Sequence, residues 1–321
     1  MCETSRPIVA LMTRHHATLI CPEARKMLLD AGFEIVSNDT GKILSPEDQK
    51  ALIKDAYAII AGTEKYDAAM LEDCDDLKAV IRFGVGTDNF DLNTMKKMGV
   101  QVGVIANHNS VAEFALMLIL CAMKNFSRFD GAVRQGKWSR FPMRELSGKT
   151  VGIVGFGRIG RRLAELLRGF NVQMLAYDPY MNDEAAKQRG VTPVSLDGLL
   201  AQSDVVSLHL PATPQTHHLI DAENIAKMKD GAYLINTARG SLVKEEDLID
   251  ALRSGKLAGV GLDVFEKEPV TADNPLFAME GNALAPHAAA LSYETNYNGG
   301  IICAQSIIDV FNGGKPVYPL W

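Results

Sequence analysis

The sequence predicts an α/β protein made of two parallel-sheet domains with a cleft between them. Three observations carry that expectation: short apolar runs alternate with amphipathic stretches from Ile8 to about Val104, the alternation restarts at Val151 and continues through Ala285, and a glycine-rich turn opens the second series. Strands too short to be helices, separated by helical patterns, imply βαβ units and therefore parallel sheets.

In the first series Ile8–Thr13, Phe33–Val36, Ala58–Gly62 and Ala79–Phe83 are the apolar runs, and Glu23–Ala31, Glu47–Ala56 and Ala68–Cys74 are the amphipathic ones. Between the two series Val111, Phe114, Ala115, Leu118, Cys121 and Ala122 fall at helical spacing, so Ser110–Asn125 reads as a linking helix. Its run Phe114–Met123 is the longest strongly apolar stretch, yet it has only about half the length of a membrane span and reads as a buried helix. Tyr293–Phe311 is again helical and stops at Gly313-Gly314, with Pro316 preventing continuation. No fixed-period repeat, low-complexity tract or polar linker interrupts the chain, so the domains are expected to pack together around a cleft suited to a small ligand.

Composition narrows the function classes. The chain has 321 residues, 47% hydrophobic and 22% charged, the balance of a globular protein. A net charge of −6 and a pI near 5.7 argue against a broad nucleic-acid surface. No charged segment followed by an apolar core opens the sequence, so neither a secretory leader nor a membrane anchor is expected, and cytoplasmic residence is. The five cysteines, Cys2, Cys21, Cys74, Cys121 and Cys303, form no C-x-x-C pair and are expected to be free thiols. His15-His16 and His217-His218 are adjacent pairs without further ligands at metal-site spacing, and His108 and His209 are isolated; no metal site is expected.

Val151-Gly-Ile-Val-Gly155-Phe-Gly157-Arg158-Ile159-Gly160 is an apolar strand running through G-x-G-x-x-G into the helical run Arg161–Arg168. Gly155 permits the tight turn, Gly157 lets the backbone approach a pyrophosphate, and Gly160 lets helix and strand pack closely, with phosphates facing the helix N-terminus. A second strand, Gln173–Tyr177, ends in Asp178, placed to accept hydrogen bonds from an adenosine ribose and to repel a 2′-phosphate. No arginine or lysine follows closely, so NAD is favoured over NADP. These features predict a Rossmann-like domain. His209, at the end of Val205–Leu210, is expected on the same edge, lining the dinucleotide pocket.

Three further strand-like segments deliver polar residues: Tyr233–Asn236 precedes Arg239, Gly259–Leu262 precedes Asp263, Glu266 and Glu268, and Asn282–Ala285 precedes His287. The carboxyl ends of parallel strands share one edge, so these side chains are expected beside the cofactor. A small 2-keto acid needs a guanidinium for its carboxylate, a proton donor for the developing alkoxide and a carboxylate that keeps the donor protonated; Arg239, His287 and Glu268 supply that set. Each also admits a structural reading: a capping arginine, a solvated acid, a turn histidine, and for Asp263 a strand-end cap.

Together with Arg82-Phe-Gly-Val-Gly86-Thr-Asp88-Asn89 and Asn109-Ser-Val-Ala-Glu113, the segments N-T-A-R-G, G-L-D-V-F-E-K-E-P and A-P-H occur in an order that resembles the D-isomer-specific 2-hydroxyacid dehydrogenases over essentially the whole chain. The resemblance is nearest to the 3-phosphoglycerate dehydrogenase branch, through Gly136-Lys-Trp138 and Glu145-Leu-Ser-Gly-Lys-Thr150. It implies that Arg239 binds substrate carboxylate and carbonyl, that His287 is the acid/base and that Glu268 is its partner. It further implies a nicotinamide-carboxamide role for Asp263, backbone pyrophosphate contacts from Arg158 and Ile159, and cofactor contacts from Val111, Thr216 and Thr237. Val85 and Gly86 form the substrate loop in that picture, and Glu266, which matches no role, is read as a solvated acid. The implied domains are a flavodoxin-like substrate domain of residues 1–104 and 289–321 and a Rossmann NAD-binding domain of residues 105–288. A homodimer formed largely through the latter, including the Ser110–Asn125 helix, is also implied.

Two departures qualify the resemblance. The branch usually carries a phosphate-gripping arginine after the third strand, where this chain reads Ala61-Gly62-Thr63-Glu64-Lys65; Lys65 and Arg82 are the cations placed to replace part of that grip, and Glu64 works against it. Ala288-Ala-Ala-Leu-Ser292 follows His287 where the family often has glycines. With the sequence ending at Trp321, the regulatory domains of many phosphoglycerate dehydrogenases are not expected. Two functions remain open: NAD-dependent interconversion of a small 2-hydroxy acid and 2-keto acid, and NADH sensing on the same fold without turnover.

Overall fold

The computed structural model describes residues 6–12, 21–40, 44–105 and 108–321; Cys2, His15 and His16 lie outside them. It divides into two compact units, one of Met1–Asn107 with Leu291–Trp321 and one of His108–Ala290.

In the first unit β1 (Ile8–Leu11), β2 (Glu34–Ser37), β3 (Ala56–Ala61), β4 (Ala79–Arg82) and β5 (Gln101–Val104) form a parallel sheet in the order β2-β1-β3-β4-β5, the flavodoxin-like order. Successive residues of the central strands enter different apolar clusters. Val9, Leu11, Ala58 and Ile60 pack with Leu28, Phe33 and Ile307, whereas Ala10, Ile59 and Val80 pack with Ile53, Leu71 and Met95. Both faces are therefore covered, which explains the continuous apolar runs. Two of the unit's helices start at a side-chain cap: Ser45 Oγ accepts the Asp48 N–H at 3.1 Å ahead of Pro46, and Asp91 Oδ1 accepts the Thr94 N–H at 3.0 Å. Tyr293–Phe311, capped by Ser292, returns to this unit and packs on the helix Pro22–Asp30. The final residues then pair with β5, Leu320 N–H donating to Val102 O and Val104 N–H to Tyr318 O.

The second unit holds β6 (Thr150–Val154), β7 (Gln173–Tyr177), β8 (Thr192–Pro193), β9 (Val205–Leu208), β10 (Ala232–Asn236), β11 (Leu257–Leu262) and β12 (Ala283–Leu284). Their order is β12-β11-β10-β9-β6-β7-β8, all parallel. The direction of winding reverses between β6 and β9, and the crevice at the carboxyl ends of those strands is where such sheets bind ligands.

The linking helix runs His108–Met123 rather than Ser110–Asn125, because Asn125 adopts a left-handed φ of 53° and starts a separate helix, Phe126–Arg134. It buries Val111, Ala115, Leu118, Ile119 and Ala122 and packs against the helix Arg158–Leu167 and strands β10, β11 and β12. Gly261 permits the approach to β11: a Cβ there would stand 2.8 Å from Leu118 Cβ. Among the described residues no single helix is long and apolar enough to cross a membrane, although the bent pair His108–Met123 and Phe126–Arg134 meets that length and composition. Two sequence-predicted bounds also shift: the helix Pro46–Ile53 ends early enough for β3 to begin at Ala56, and the helix in Ala68–Cys74 closes at Leu71.

Candidate active site

The glycine turn is built from contacts that a side chain would break. Gly155, at φ 95°, donates its N–H to Tyr177 O, and a Cβ on it would meet the His209 carbonyl at 2.7 Å. A Cβ on Gly160 would collide with Gly155 O, whereas one on Gly157 would meet nothing within 4 Å. That open space lies at the start of the helix Arg158–Leu167, whose cap residue is Gly157 without a side-chain cap bond. The first-turn N–H groups and this cleared space fit a pyrophosphate. Asp178, at the end of β7, accepts the Phe156 N–H at 2.8 Å on one oxygen and the Tyr180 N–H at 2.9 Å on the other. Its carboxylate is thereby held against the glycine turn.

Other predicted cofactor residues divide into two kinds. Thr237 Oγ1 is buried without a hydrogen-bond partner just past β10, the position of a group that awaits a ligand. His209 Nε2 shares a 2.9 Å hydrogen bond with Ser207 Oγ while its Nδ1 has none, and burial pulls the ring's pKa down to about 4, so it is neutral near pH 7. Thr216, by contrast, uses its hydroxyl inside its own loop, donating to Pro211 O at 2.8 Å and accepting the Thr213 N–H at 2.8 Å. Val111 is buried in its helix.

Three strand ends bring Arg239, Glu268 and His287 together. Beyond β10, the buried Asn236 shapes the turn: its Oδ1 accepts the Ala238 N–H and its Nδ2 donates to Arg239 O. Gly240 follows where a Cβ would collide with Phe265 O, so the turns after β10 and β11 are in direct backbone contact. Glu268 Oε1 accepts the Phe265 N–H at 3.0 Å and Oε2 stands 2.8 Å from His287 Nδ1. Burial pushes the Glu268 carboxyl up, but the hydrogen bonds from His287 and Phe265 and the charges of His287 and Arg239 outweigh it and leave it below the usual glutamate range.

Asp263 anchors the segment that carries His287. It is fully buried, and it holds three successive N–H groups: His287 to its backbone oxygen at 2.7 Å, Ala288 to Oδ1 at 2.7 Å and Ala289 to Oδ2 at 2.9 Å. His287 is in the left-handed region at φ 55°, a conformation costly for a residue with a Cβ, and the Asp263 bonds fix it. Burial raises the Asp263 carboxyl above the usual aspartate range, with the Ala288 and Ala289 hydrogen bonds pulling it back.

The substrate-loop residues lie in the first unit. Arg82 does not extend a free cation: its Nε donates to Gly86 O at 3.0 Å and its Nη1 to Ala61 O and Phe83 O, tying the turns after β3 and β4 together. Lys65 is a surface residue paired with Asp67 at 2.8 Å. Val85 and Gly86 form the exposed turn that Arg82 holds, with Val85 49% exposed. Glu266 is exposed, as a solvated acid is, and is also paired: Oε1 stands 2.5 Å from His218 Nε2 and Oε2 accepts the Glu245 N–H. Among the described residues no group of three candidate ligands could hold a metal ion.

Residues 116–289 match the NAD binding domain of the D-isomer specific 2-hydroxyacid dehydrogenases. A glyoxylate reductase of Korarchaeum cryptofilum is 38% identical over 309 residues, 92% of each chain. The chain belongs to that family. Its members are oxidoreductases acting on the CH–OH group of 2-hydroxy acids, and the cofactor is NAD. A D-3-phosphoglycerate dehydrogenase of Archaeoglobus fulgidus is 39% identical over 259 residues, 79% of this chain but 49% of that protein, so the chain spans about half the length of that curated relative. The crystal structure of a glyoxylate reductase from Paecilomyes thermophila superposes with a TM-score of 0.87 at 28% identity, covering 98% of both chains.

Asp263→Ala leaves two N–H groups without acceptors. It is expected to lower stability by about 1–3 kcal/mol, read as a fall in the urea midpoint, and to cut kcat/KM for keto-acid reduction. An unchanged midpoint and unchanged kinetics would contradict the anchoring role.

Proposed function

We propose that the chain interconverts a small, unphosphorylated D-2-hydroxy acid and its 2-keto acid with NAD. The observation that carries this reading is the convergence of Arg239, Glu268 and His287 on the carboxyl ends of β10, β11 and β12, in the same sheet whose β6 opens the glycine turn. Gly155, Gly157 and Gly160 with the N–H groups of Arg158 and Ile159 hold the pyrophosphate, Asp178 the adenosine ribose, and Thr237, His209 and Val111 line the remaining cofactor surface. NAD, when bound, supplies the acceptor or donor of two electrons and a hydrogen at substrate C2. Thr216 and Asp263 act in this reading through the backbone they shape.

Arg239 grips the substrate carboxylate and polarises the C2 carbonyl. His287 presents Nε2, because Nδ1 is engaged by Glu268. In reduction Nε2 gives its proton to the C2 oxygen, and in oxidation it takes that proton back. Glu268 stabilises the imidazolium and fixes the ring. Val85 and Gly86 contribute the substrate loop. An unphosphorylated substrate is favoured because Arg82 is committed to backbone carbonyls and Lys65 to Asp67. The relatives spanned over 92% of their length include glyoxylate and hydroxypyruvate reductases. The second reading, NADH sensing without turnover, gains no support from these relatives.

Absorbance of NADH with glyoxylate, hydroxypyruvate and phosphohydroxypyruvate tests the assignment. Turnover of the first two is expected at higher kcat/KM than the third; NADH binding without turnover of any 2-keto acid would favour sensing. Arg239→Gln should lower kcat/KM by the equivalent of about 2–5 kcal/mol with NADH affinity nearly intact, and an unaltered efficiency would remove Arg239 from the mechanism.

A homodimer belongs to the same proposal. Its support is a set of exposed apolar side chains, Met117, Phe126, Val133, Trp138 and Met143, in the second unit, of the kind that association covers. Sedimentation equilibrium should give twice the 34.9 kDa chain mass; a monomer at micromolar concentration would contradict it.

A further inference from the structure

A groove of about 170 Å³ in the second unit is lined by His108, Arg158, Arg161, Arg162, Glu165 and Arg189. Three separate elements meet there: the first turn of the helix His108–Met123, one side of the helix Arg158–Leu167, and the turn after the helix Asp183–Lys187. Residues 158, 161, 162 and 165 share a stripe of their helix. Its buried face is a different one, Gly160, Leu163, Ala164 and Leu167, so packing does not account for the arginines.

The charge balance is one-sided. Four guanidinium groups face a single carboxylate, in a chain whose net charge is −6. Glu165 is already taken: Arg162 Nη1 bonds it at 2.9 Å, and that bond, with the charges of Arg162, Arg168 and Arg189, holds its carboxyl below the usual glutamate range. Arg189 is positioned by Nη1 donating to Ala185 O at 2.8 Å. Two of the lining residues carry a polar atom, His108 Nδ1 and Arg162 Nε, that is buried without a hydrogen-bond partner. Like charges gathered this closely repel unless an anion joins them, and guanidinium forks match the oxygens of a phosphate group.

We propose that this groove binds a phosphate-bearing anion, separately from the dinucleotide. The separation follows from helix geometry. Pyrophosphate is held by the glycine turn at the helix start, whereas the groove extends from Arg158 to Glu165, about 10 Å along the axis at 1.5 Å per residue. Arg161 and Arg189 belong to the groove alone.

Equilibrium dialysis of the full chain, saturated with NADH, against labelled inorganic phosphate tests the proposal; saturation keeps the glycine turn filled. One saturable phosphate per chain is expected, weakening as salt rises. Arg161→Gln combined with Arg189→Gln should reduce phosphate affinity at least about ten-fold, the loss of two charge-assisted contacts, while NADH affinity stays within about two-fold as a check on folding. Arg161→Gln alone, which breaks no bond within the chain, should show a smaller loss in the same direction. A parallel arm with glycerol 3-phosphate separates the sources: tighter binding than inorganic phosphate identifies a phosphate ester as the ligand, and equal or weaker binding identifies the free ion. Absence of saturable phosphate binding to the NADH complex would overturn the proposal, including the case in which a second copy of the chain covers the groove. Equal phosphate affinity in parent and double variant would overturn it too.

Discussion

The carboxylate of Asp263 is the constraint on which the site depends. One buried residue at the end of β11 accepts three successive N–H groups from the segment after β12. Those bonds join two neighbouring strand ends and hold His287 in a left-handed conformation that its own Cβ disfavours. An apolar residue at 263 would keep the main-chain acceptor of the His287 N–H but leave the Ala288 and Ala289 N–H groups without theirs. The cost of burying a carboxylate is visible in its raised pKa, and the backbone donors offset it, as buried charges require.

The glutamate follows from the same geometry. The chain leaves Asp263, turns through Phe265, and returns Glu268 with one oxygen on the Phe265 N–H and the other on His287 Nδ1. Arg239 arrives from β10 over Gly240, where no side chain fits between the two turns. The segments that follow three neighbouring strands thus carry Arg239, Glu268 and His287. In the proposed reaction the Glu268 contact to Nδ1 is what keeps Nε2, the proton-transfer nitrogen, aimed at substrate.

Much of this was legible in the sequence, and the rest was not, for identifiable reasons. Apolar alternation disclosed both parallel sheets because their strands are covered on two faces, and the glycine spacing disclosed the dinucleotide turn because Gly155 and Gly160 meet a local steric demand and Gly157 leaves open space. Glu268 and His287 were readable as a pair because their strands lie side by side. The loop-anchoring bonds of Asp263 were hidden because its partners sit 25 and 26 residues away and a carboxylate at a strand end looks the same in sequence whatever it holds. The bonds of Arg82 and Glu266 were hidden likewise: their partners include the main chain of Ala61 and the ring of His218, 21 and 48 residues distant. Asn236 stood inside a quoted motif, N-T-A-R-G, and its backbone contacts two and three residues on follow the ordinary habit of asparagine in turns; that signal was available.

The central claim is that Glu268 acts on substrate chemistry through His287, and the pH dependence of Glu268→Gln tests it most directly. Glutamine keeps the side-chain shape and removes the charge that stabilises the imidazolium, the same interaction that holds Glu268 below its usual range. Proton donation in keto-acid reduction needs the charged ring, so the alkaline limb of kcat/KM for reduction is predicted to move to lower pH in the variant. The acid limb for hydroxy-acid oxidation, which needs the neutral ring, should move to lower pH as well. Profiles that coincide with those of the parent in both directions would contradict the account.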